Sequence, residues 1–234
     1  NNIQWFRVPT KIFFEKDSIT YLRHIEADRV MLVCDPGMVQ FGYADLVKRQ
    51  LELNRHRPAV DVFSDVEPNP STNTVYKGLE RFVDFQPDVI IALGGGSAMD
   101  AGKIMWIMYE HPEANFEDMA MDFMDIRKRV YTFPKMGKKA YFVAIPTSSG
   151  TGSEVTPFAI ITDQDTGVKW PLADYELLPD MAIVDTNNMM SAPKGLTRAS
   201  GIDVMTHAIE AYVSNASSPI TDLHALEAIR LIGL

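Results

Sequence analysis

The stretch Ile90–Lys103, IIALGGGSAMDAGK, constrains the fold more than any other in the chain. Val89, Ile90, Ile91, Ala92 and Leu93 form a short apolar run closed by three glycines. A run of that length bounded by glycine suits a strand buried on both faces of a parallel sheet. Consecutive glycines let the backbone take positive φ and come close to a ligand. Ser97 then opens a segment of helical character. The first turn of a helix offers unpaired N–H groups and the positive end of a dipole to an anion. The local physics predicts strand, anion-binding turn and helix. Gly94-x-Gly96-x-x-Met99 lacks the third glycine of the common dinucleotide fingerprint, so a plain turn capped by Ser97 is the competing reading.

The neighbouring segments repeat this alternation. Residues 3–15 are rich in β-branched and aromatic side chains and read as one or two strands broken at Pro9. A short helix over about 17–25 leads to RVMLVC at 29–34, a second buried strand, followed by Asp35 and a Pro-Gly turn. Helical spacing runs over 42–53, a third strand over 59–63, and Ser71 caps a helix carrying Val75, Leu79, Phe82 and Val83. This β-α order predicts a parallel sheet covered by helices, an α/β Rossmann-like fold. Residues 110–140 form a long mixed connection, of the kind that is usually functional or partner-binding. Strands then read over 141–145, 158–162 and 181–184, and only helices follow about residue 193. The change falls near residues 186–195 and divides the chain into 1–190 and 191–234.

Composition narrows the function class. A formal net charge of −9 over 234 residues argues against nucleic acid as the partner. No apolar run reaches bilayer length and no signal-peptide pattern is present, so no membrane role is expected. Cys34 is the single cysteine, which excludes an intrachain disulfide and suits a reducing, cytoplasmic setting. The chain begins at Asn1 and closes inside an apolar helical pattern at Leu234; both ends look cut, and a piece of a longer protein is the expectation.

Three groups of residues could carry chemistry. Asp35 stands at the carboxyl end of a strand, where open α/β sheets bind ligands. A carboxylate there can accept both ribose hydroxyls of an adenosine and would repel a 2′-phosphate; a turn aspartate before Pro-Gly is the bland reading. Thr147, Ser148, Ser149, Thr151 and Ser153 crowd around Gly150 and Gly152 after another strand, a density of hydroxyls and mobile backbone that suits phosphates or a polarised ring. Its bland reading is a polar loop. Asp203 and His207 are four apart in GIDVMTHAIEAY, so on a helix both can reach one cation. Carboxylate plus imidazole suits Fe²⁺, Zn²⁺ or Mn²⁺. Two donors do not complete a site, and a helix cap or ion pair is the alternative. His24, His56, His111 and His224 lack companions at metal spacing and take structural or surface roles.

In this order the motifs resemble the iron-dependent (group III) alcohol dehydrogenases. GGGSAMDAGK at 94–103, IPTSSGTGSEVTPFAIITD at 145–163, PDMAIVD at 179–185 and GIDVMTHAIEAY at 201–212 match blocks of that family. IQWFRVPTKIFFE, KIMWIMYEHPE, FMDIRKRVYTFPKMGKKA and PLADYELLPDMAIVD are similar to the alcohol-dehydrogenase half of the bifunctional aldehyde–alcohol dehydrogenases. The resemblance covers essentially the whole chain.

What it implies is specific. Residues 1–190 would be the dinucleotide-binding domain and 191–234 the start of an all-helical metal and substrate domain. Asp35 would hold the adenosine ribose and favour NAD over NADP. Asn69, in EPNPS, would line the cofactor cleft. Gly95, Gly96 and Ser97 would cradle the pyrophosphate, with Asp100 supporting that turn. Thr147, Ser148, Thr151 and Thr156 would line the pyrophosphate and nicotinamide region, and Lys169 would reach the nicotinamide ribose. Asp203 and His207 would be two of four metal ligands, the family's other two being histidines further along. The implied reaction is reversible, NADH-dependent reduction of acetaldehyde to ethanol, with Fe²⁺ (or Zn²⁺) polarising the carbonyl. The implied assembly is a homo-oligomer, and filaments are known for the bifunctional enzyme. A Zn²⁺-dependent polyol dehydrogenase of the same fold, and a nucleotide-binding or assembly module without activity, are the alternatives.

Overall fold

A computed structural model describes residues 4–114, 119 and 133–233 of the chain. The connection over 110–140 therefore lies largely outside the described residues. Six parallel strands form the main sheet among them: β1 (Lys11–Phe14), β2 (Arg29–Cys34), β3 (Ala59–Phe63), β4 (Val89–Gly94), β5 (Tyr141–Pro146) and β8 (Met181–Val184). Their order is β1-β8-β5-β4-β2-β3. Between β5 and β8, β6 (Phe158–Thr162) and β7 (Lys169–Ala173) pair antiparallel as a separate hairpin.

The runs on β2, β4 and β5 are continuously apolar because helices cover both faces. Side chains alternate across a strand, so Met31, Val33, Ile90, Ala92, Phe142 and Ala144 fill one core. That core packs under α3 (Thr72–Phe85) and α4 (Gly96–Glu110). Leu32, Cys34, Ile91, Leu93, Val143 and Ile145 fill the other, against Ala44, Val47 and Leu51 of α2 (Tyr43–Glu52) and Leu22 of a 3-10 helix at Ser18–His24. A short α1 (Pro36–Gln40) precedes α2.

Helix α4 is buried along nearly its whole length, which explains its apolar composition. Gly102 lets it close on the sheet, since a Cβ there would meet Ala92 Cβ at 3.0 Å and Phe142 Cζ at 3.2 Å. Trp106 donates its indole N–H to Ala140 O at 3.1 Å and stacks on Phe142. At the C-terminal end of α4, Glu110 accepts the backbone N–H groups of Gly137, Lys138 and Lys139.

Beyond β8 the chain is helical: α5 (Asn187–Met190), α6 (Lys194–Val213) and α7 (Pro219–Ile232). The last two pack on each other, and Ser218 and Thr221 form a capping box at the start of α7. The buried Asp185 ties this junction to the N-terminal part by accepting the N–H groups of Asp17, Ile19 and Asn187. No helix among the described residues is long and apolar enough to cross a membrane.

The strands at 29–34, 59–63, 158–162 and 181–184 lie where the sequence places them. Differences are local. Of the one or two strands expected in the N-terminal segment, the described residues form one, Lys11–Phe14, paired with β8. The helix expected at 17–25 is a 3-10 helix. The hairpin strand Lys169–Ala173 escapes sequence reading because Pro171 interrupts its pattern.

Candidate cofactor cleft and metal donors

The chain steps from β2 outward to β3 and then back across β2 to β4. The winding of the sheet therefore reverses between β2 and β4, and the crevice outside their carboxyl ends is where such sheets bind ligands. Cys34 is in register with Leu93, and Gly94 with Pro146. The residues that follow each strand, Asp35, Gly95 and Thr147, thus emerge side by side.

Asp35 caps α1, with Oδ1 accepting the Gly37 N–H at 2.8 Å. Its other oxygen faces the glycine turn. A Cβ on Gly94 would lie 3.2 Å from Asp35 Oδ2 and 3.0 Å from Ala98 Cβ. Gly94 also has φ +141°, a conformation that side chains rarely adopt. These two facts require glycine at the turn. An acid on the strand preceding the turn can therefore reach the crevice that the common fingerprint serves with a later acid.

The N-cap of α4 is Gly95, not Ser97, and the helix begins at Gly96. With no capping side chain there, the first N–H groups of a buried helix are left to an external acceptor. A Cβ on Gly95 would come 3.6 Å from Ser148 Oγ, and one on Gly96 2.9 Å from Thr151 Cγ2 and 3.3 Å from Thr151 Oγ1. The second glycine–hydroxyl turn is thus folded against the first. Thr147 N–H donates to Gly94 O at 3.0 Å, fixing that approach.

Ser97 points to a third loop, where its Oγ accepts the Asn69 N–H at 3.4 Å. Asn69 is held at φ +53°, and its Oδ1 accepts from Lys169 Nζ at 3.3 Å. Asn69, Ser97 and Lys169 therefore form one chain of contacts from the β3–α3 loop to the hairpin. Glu67 sets that loop, accepting from Ser71 N and Thr74 Oγ1, and these bonds hold its carboxyl below the usual range although burial opposes them.

Asp100 and Thr156 both belong to the contacts that join α4 to the segment after the hydroxyl loop. Asp100 does not bond the glycine turn: it accepts from Ser153 Oγ at 2.8 Å and from Ile160 N at 3.2 Å. Burial raises its carboxyl pKa, with Lys103 and these hydrogen bonds opposing. Thr156 is turned toward Lys103, whose Nζ donates to its main-chain oxygen at 2.8 Å. Lys103 itself, fully buried, is the residue that sequence reasoning passed over. A lysine inside an apolar helix was the available signal.

Asp203 and His207 share one face of α6, with Oδ1 and Nε2 3.5 Å apart and their side chains 43% and 52% exposed. Asp203 Oδ2 lies against the hydroxyl loop, 3.3 Å from where a Cβ on Gly150 would stand. The two donors thus adjoin the cleft. The adjacent stripe is only partly covered, with Ala208 buried and Tyr212 exposed. Among the described residues no three His, Cys, Asp or Glu side chains gather closely enough to hold a metal. A carboxylate oxygen and an imidazole nitrogen converging on open space fit a borderline divalent cation, with further donors from elsewhere. The cleft fits a dinucleotide pyrophosphate better still, since every position facing the hydroxyl loop at the turn is a glycine.

Cys34 is buried in the core, where burial and the Asp35 charge push its thiol up to about 12, away from the thiolate that redox or nucleophilic chemistry uses. His224 stacks on Phe6, and His111 bonds Lys135 O and Glu113. Both are structural.

The chain is similar to known proteins in sequence and in fold. Residues 9–186 match the iron-containing alcohol dehydrogenase family, and residues 197–234 match the C-terminal part of the Fe-containing alcohol dehydrogenase family. An aldehyde-alcohol dehydrogenase of Streptococcus pneumoniae is 52% identical over 233 residues, covering 99% of this chain and 26% of that protein. The chain thus spans about a quarter of the length of that curated relative. The crystal structure of a 1,3-propanediol oxidoreductase superposes with a TM-score of 0.86 at 32% identity, covering 99% of this chain and 58% of the other. A sulfoacetaldehyde reductase from Bifidobacterium kashiwanohense, solved in complex with NAD⁺, gives 0.81 at 28% identity, covering 99% and 59%.

Proposed function

The chain belongs to the iron-containing alcohol dehydrogenase family, and from that premise we propose that it binds NADH and serves the reversible reduction of acetaldehyde to ethanol. The observation that carries the reading is the meeting of Asp35, the Gly94–Gly96 turn and the Ser148–Thr151 loop at the reversal of the sheet. Bound NADH supplies the hydride, and a divalent metal, Fe²⁺ in this reading, supplies Lewis acidity at the carbonyl oxygen.

The chain's own residues bind and orient. Asp35 accepts the adenosine ribose hydroxyls and disfavours a 2′-phosphate. The N–H groups at Gly95, Gly96 and Ser97 bind the pyrophosphate, with the hydroxyls of Ser148 and Thr151 on its other side. Thr147 and Thr156 shape the loop around the nicotinamide. Lys169, steadied by Asn69, serves the ribose next to it. Asp203 and His207 hold the metal beside Gly150, together with donors outside the described residues. Hydride transfer needs no protein nucleophile, which accords with a cleft lined by glycines and hydroxyls. We further assign residues 1–190 to cofactor binding and 191–234 to metal and substrate, in a cytoplasmic homo-oligomer.

The test is aldehyde-dependent NADH oxidation by the protein carrying these residues, loaded with Fe²⁺ or with Zn²⁺. Acetaldehyde turnover dependent on Fe²⁺ supports the reading. Turnover of glycerol with NAD⁺ and Zn²⁺, without acetaldehyde turnover, would replace it by the polyol dehydrogenase alternative.

A further inference from the structure

Lys103 stands one turn beyond Asp100 on α4 and is 0% exposed. Its ammonium donates to three main-chain oxygens, those of Ser153, Thr156 and Phe158, each at 2.8 Å. Ser153 Oγ and Thr156 Oγ1 lie further out, at 3.5 and 3.4 Å. An ammonium has three N–H groups, so all are used. Asp100 holds the same segment through Ser153 Oγ and the Ile160 N–H. Helix α4 thus grips residues 153–160 at five points. The N-terminus of that helix is the glycine turn, and the segment it grips continues the loop that carries Ser148 and Thr151.

Burying an ammonium is costly, and a methionine of similar volume would fill the same space without that cost. The charge is therefore not there for packing. We propose that Lys103 is a positioning residue for the cofactor: its ammonium clamps the hydroxyl loop to α4 and so sets the width of the pyrophosphate cradle between Gly95–Gly96 and Ser148–Thr151. The proposal rests on the NADH reading for its ligand and on the hydrogen bonds alone for the clamp.

A pH signature follows. The charged groups facing Lys103 are Asp100 on its own helix and Glu154 on the loop, and both favour the ammonium. Burial outweighs them and brings the amine to about 8. The neutral amine has two N–H groups for three carbonyls. The clamp is complete below that pH and loosens above it, so NADH affinity falls as pH rises through about 8.

The experiment compares the chain with Lys103→Met by amide hydrogen exchange over residues 147–158 and by NADH fluorescence titration, from about pH 6.5 to about pH 9.5. We expect faster exchange in that segment only, with β2 and β4 unchanged. NADH affinity should drop about ten- to a hundredfold, the scale of a small misplacement of binding groups. The weakening of NADH binding above pH 8 should be present in the wild type and absent from the variant. Unchanged exchange and unchanged NADH affinity in a folded Lys103→Met overturn the proposal. If the folded wild type binds no NADH, the NADH reading fails, and the exchange comparison alone decides the clamp. If the variant does not fold, the wild-type pH series decides: protection of 147–158, corrected for intrinsic exchange, and NADH affinity that both stay flat across the range overturn it.

Discussion

Asp180 offers a stability test whose sign and size follow from its surroundings. It precedes β8, and its Oδ2 accepts the Phe142 N–H at 2.9 Å. Burial, with repulsion from Glu110 and Glu176, raises its carboxyl from 3.8 to about 6 even though the Phe142 N–H favours the anion. A raised folded pKa means the native state binds the proton more tightly than the unfolded chain. The stability this provides is fully present below about pH 3.8 and is lost as the pH rises through about 6. The displacement corresponds to about 3 kcal/mol, which solvent reaching part of the side chain cuts to about 2 kcal/mol. Asp180→Asn keeps an acceptor for Phe142 and carries no charge. We expect it to be more stable than wild type by about 2 kcal/mol at pH 7, or about 4–8 °C in Tm for a chain of this size, and indistinguishable at pH 4. Urea unfolding followed by circular dichroism at both pH values measures this. A variant less stable at pH 7, or one whose gain persists undiminished at pH 4, would refute the reasoning.

Four further substitutions have defined outcomes. Gly94→Ala places a Cβ at positive φ against Ala98 and Asp35; it should cost about 1–3 kcal/mol in thermal unfolding and weaken NADH binding in the same titration. Gly102→Ala gains about 1 kcal/mol of helix propensity but overpacks Ala92 and Phe142 by about 1–3 kcal/mol, so calorimetry should show a net loss of about 1 kcal/mol with NADH binding kept. Asp203→Ala and His207→Ala, measured for iron content after dialysis, should each lose the metal while leaving the fold intact, because both side chains are about half exposed.

Where one physical rule decided the outcome, the sequence was legible. Apolar runs closed by turn residues located β2, β4 and β8, since strands covered on both faces admit only such runs. The glycine turn was legible for the same reason: Gly94 has φ +141° and neighbours within 3.2 Å. What escaped was tertiary. Ser97 looks like an N-cap in isolation, yet the helix starts at Gly96 because the strand ends at Gly94, and the hydroxyl is free to meet Asn69. The contacts that join Asp100 to Ser153 and Ile160, and Lys103 to Thr156, were not legible either. No periodicity in sequence reports a lysine whose partners are carbonyls some fifty positions away.

In the proposed function, the crevice between β2 and β4 takes a dinucleotide through Asp35 and the glycine turn. Its most direct test is a calorimetric titration of NADH and NADPH into the wild-type chain and Asp35→Ala. We expect saturable NADH binding to the wild type, weaker NADPH binding, and a loss of about ten- to a hundredfold in NADH affinity on Asp35→Ala, from charge-assisted hydrogen bonds of about 1.5–3 kcal/mol. NADH binding of equal strength in the two proteins, or none in a folded wild type, would contradict it.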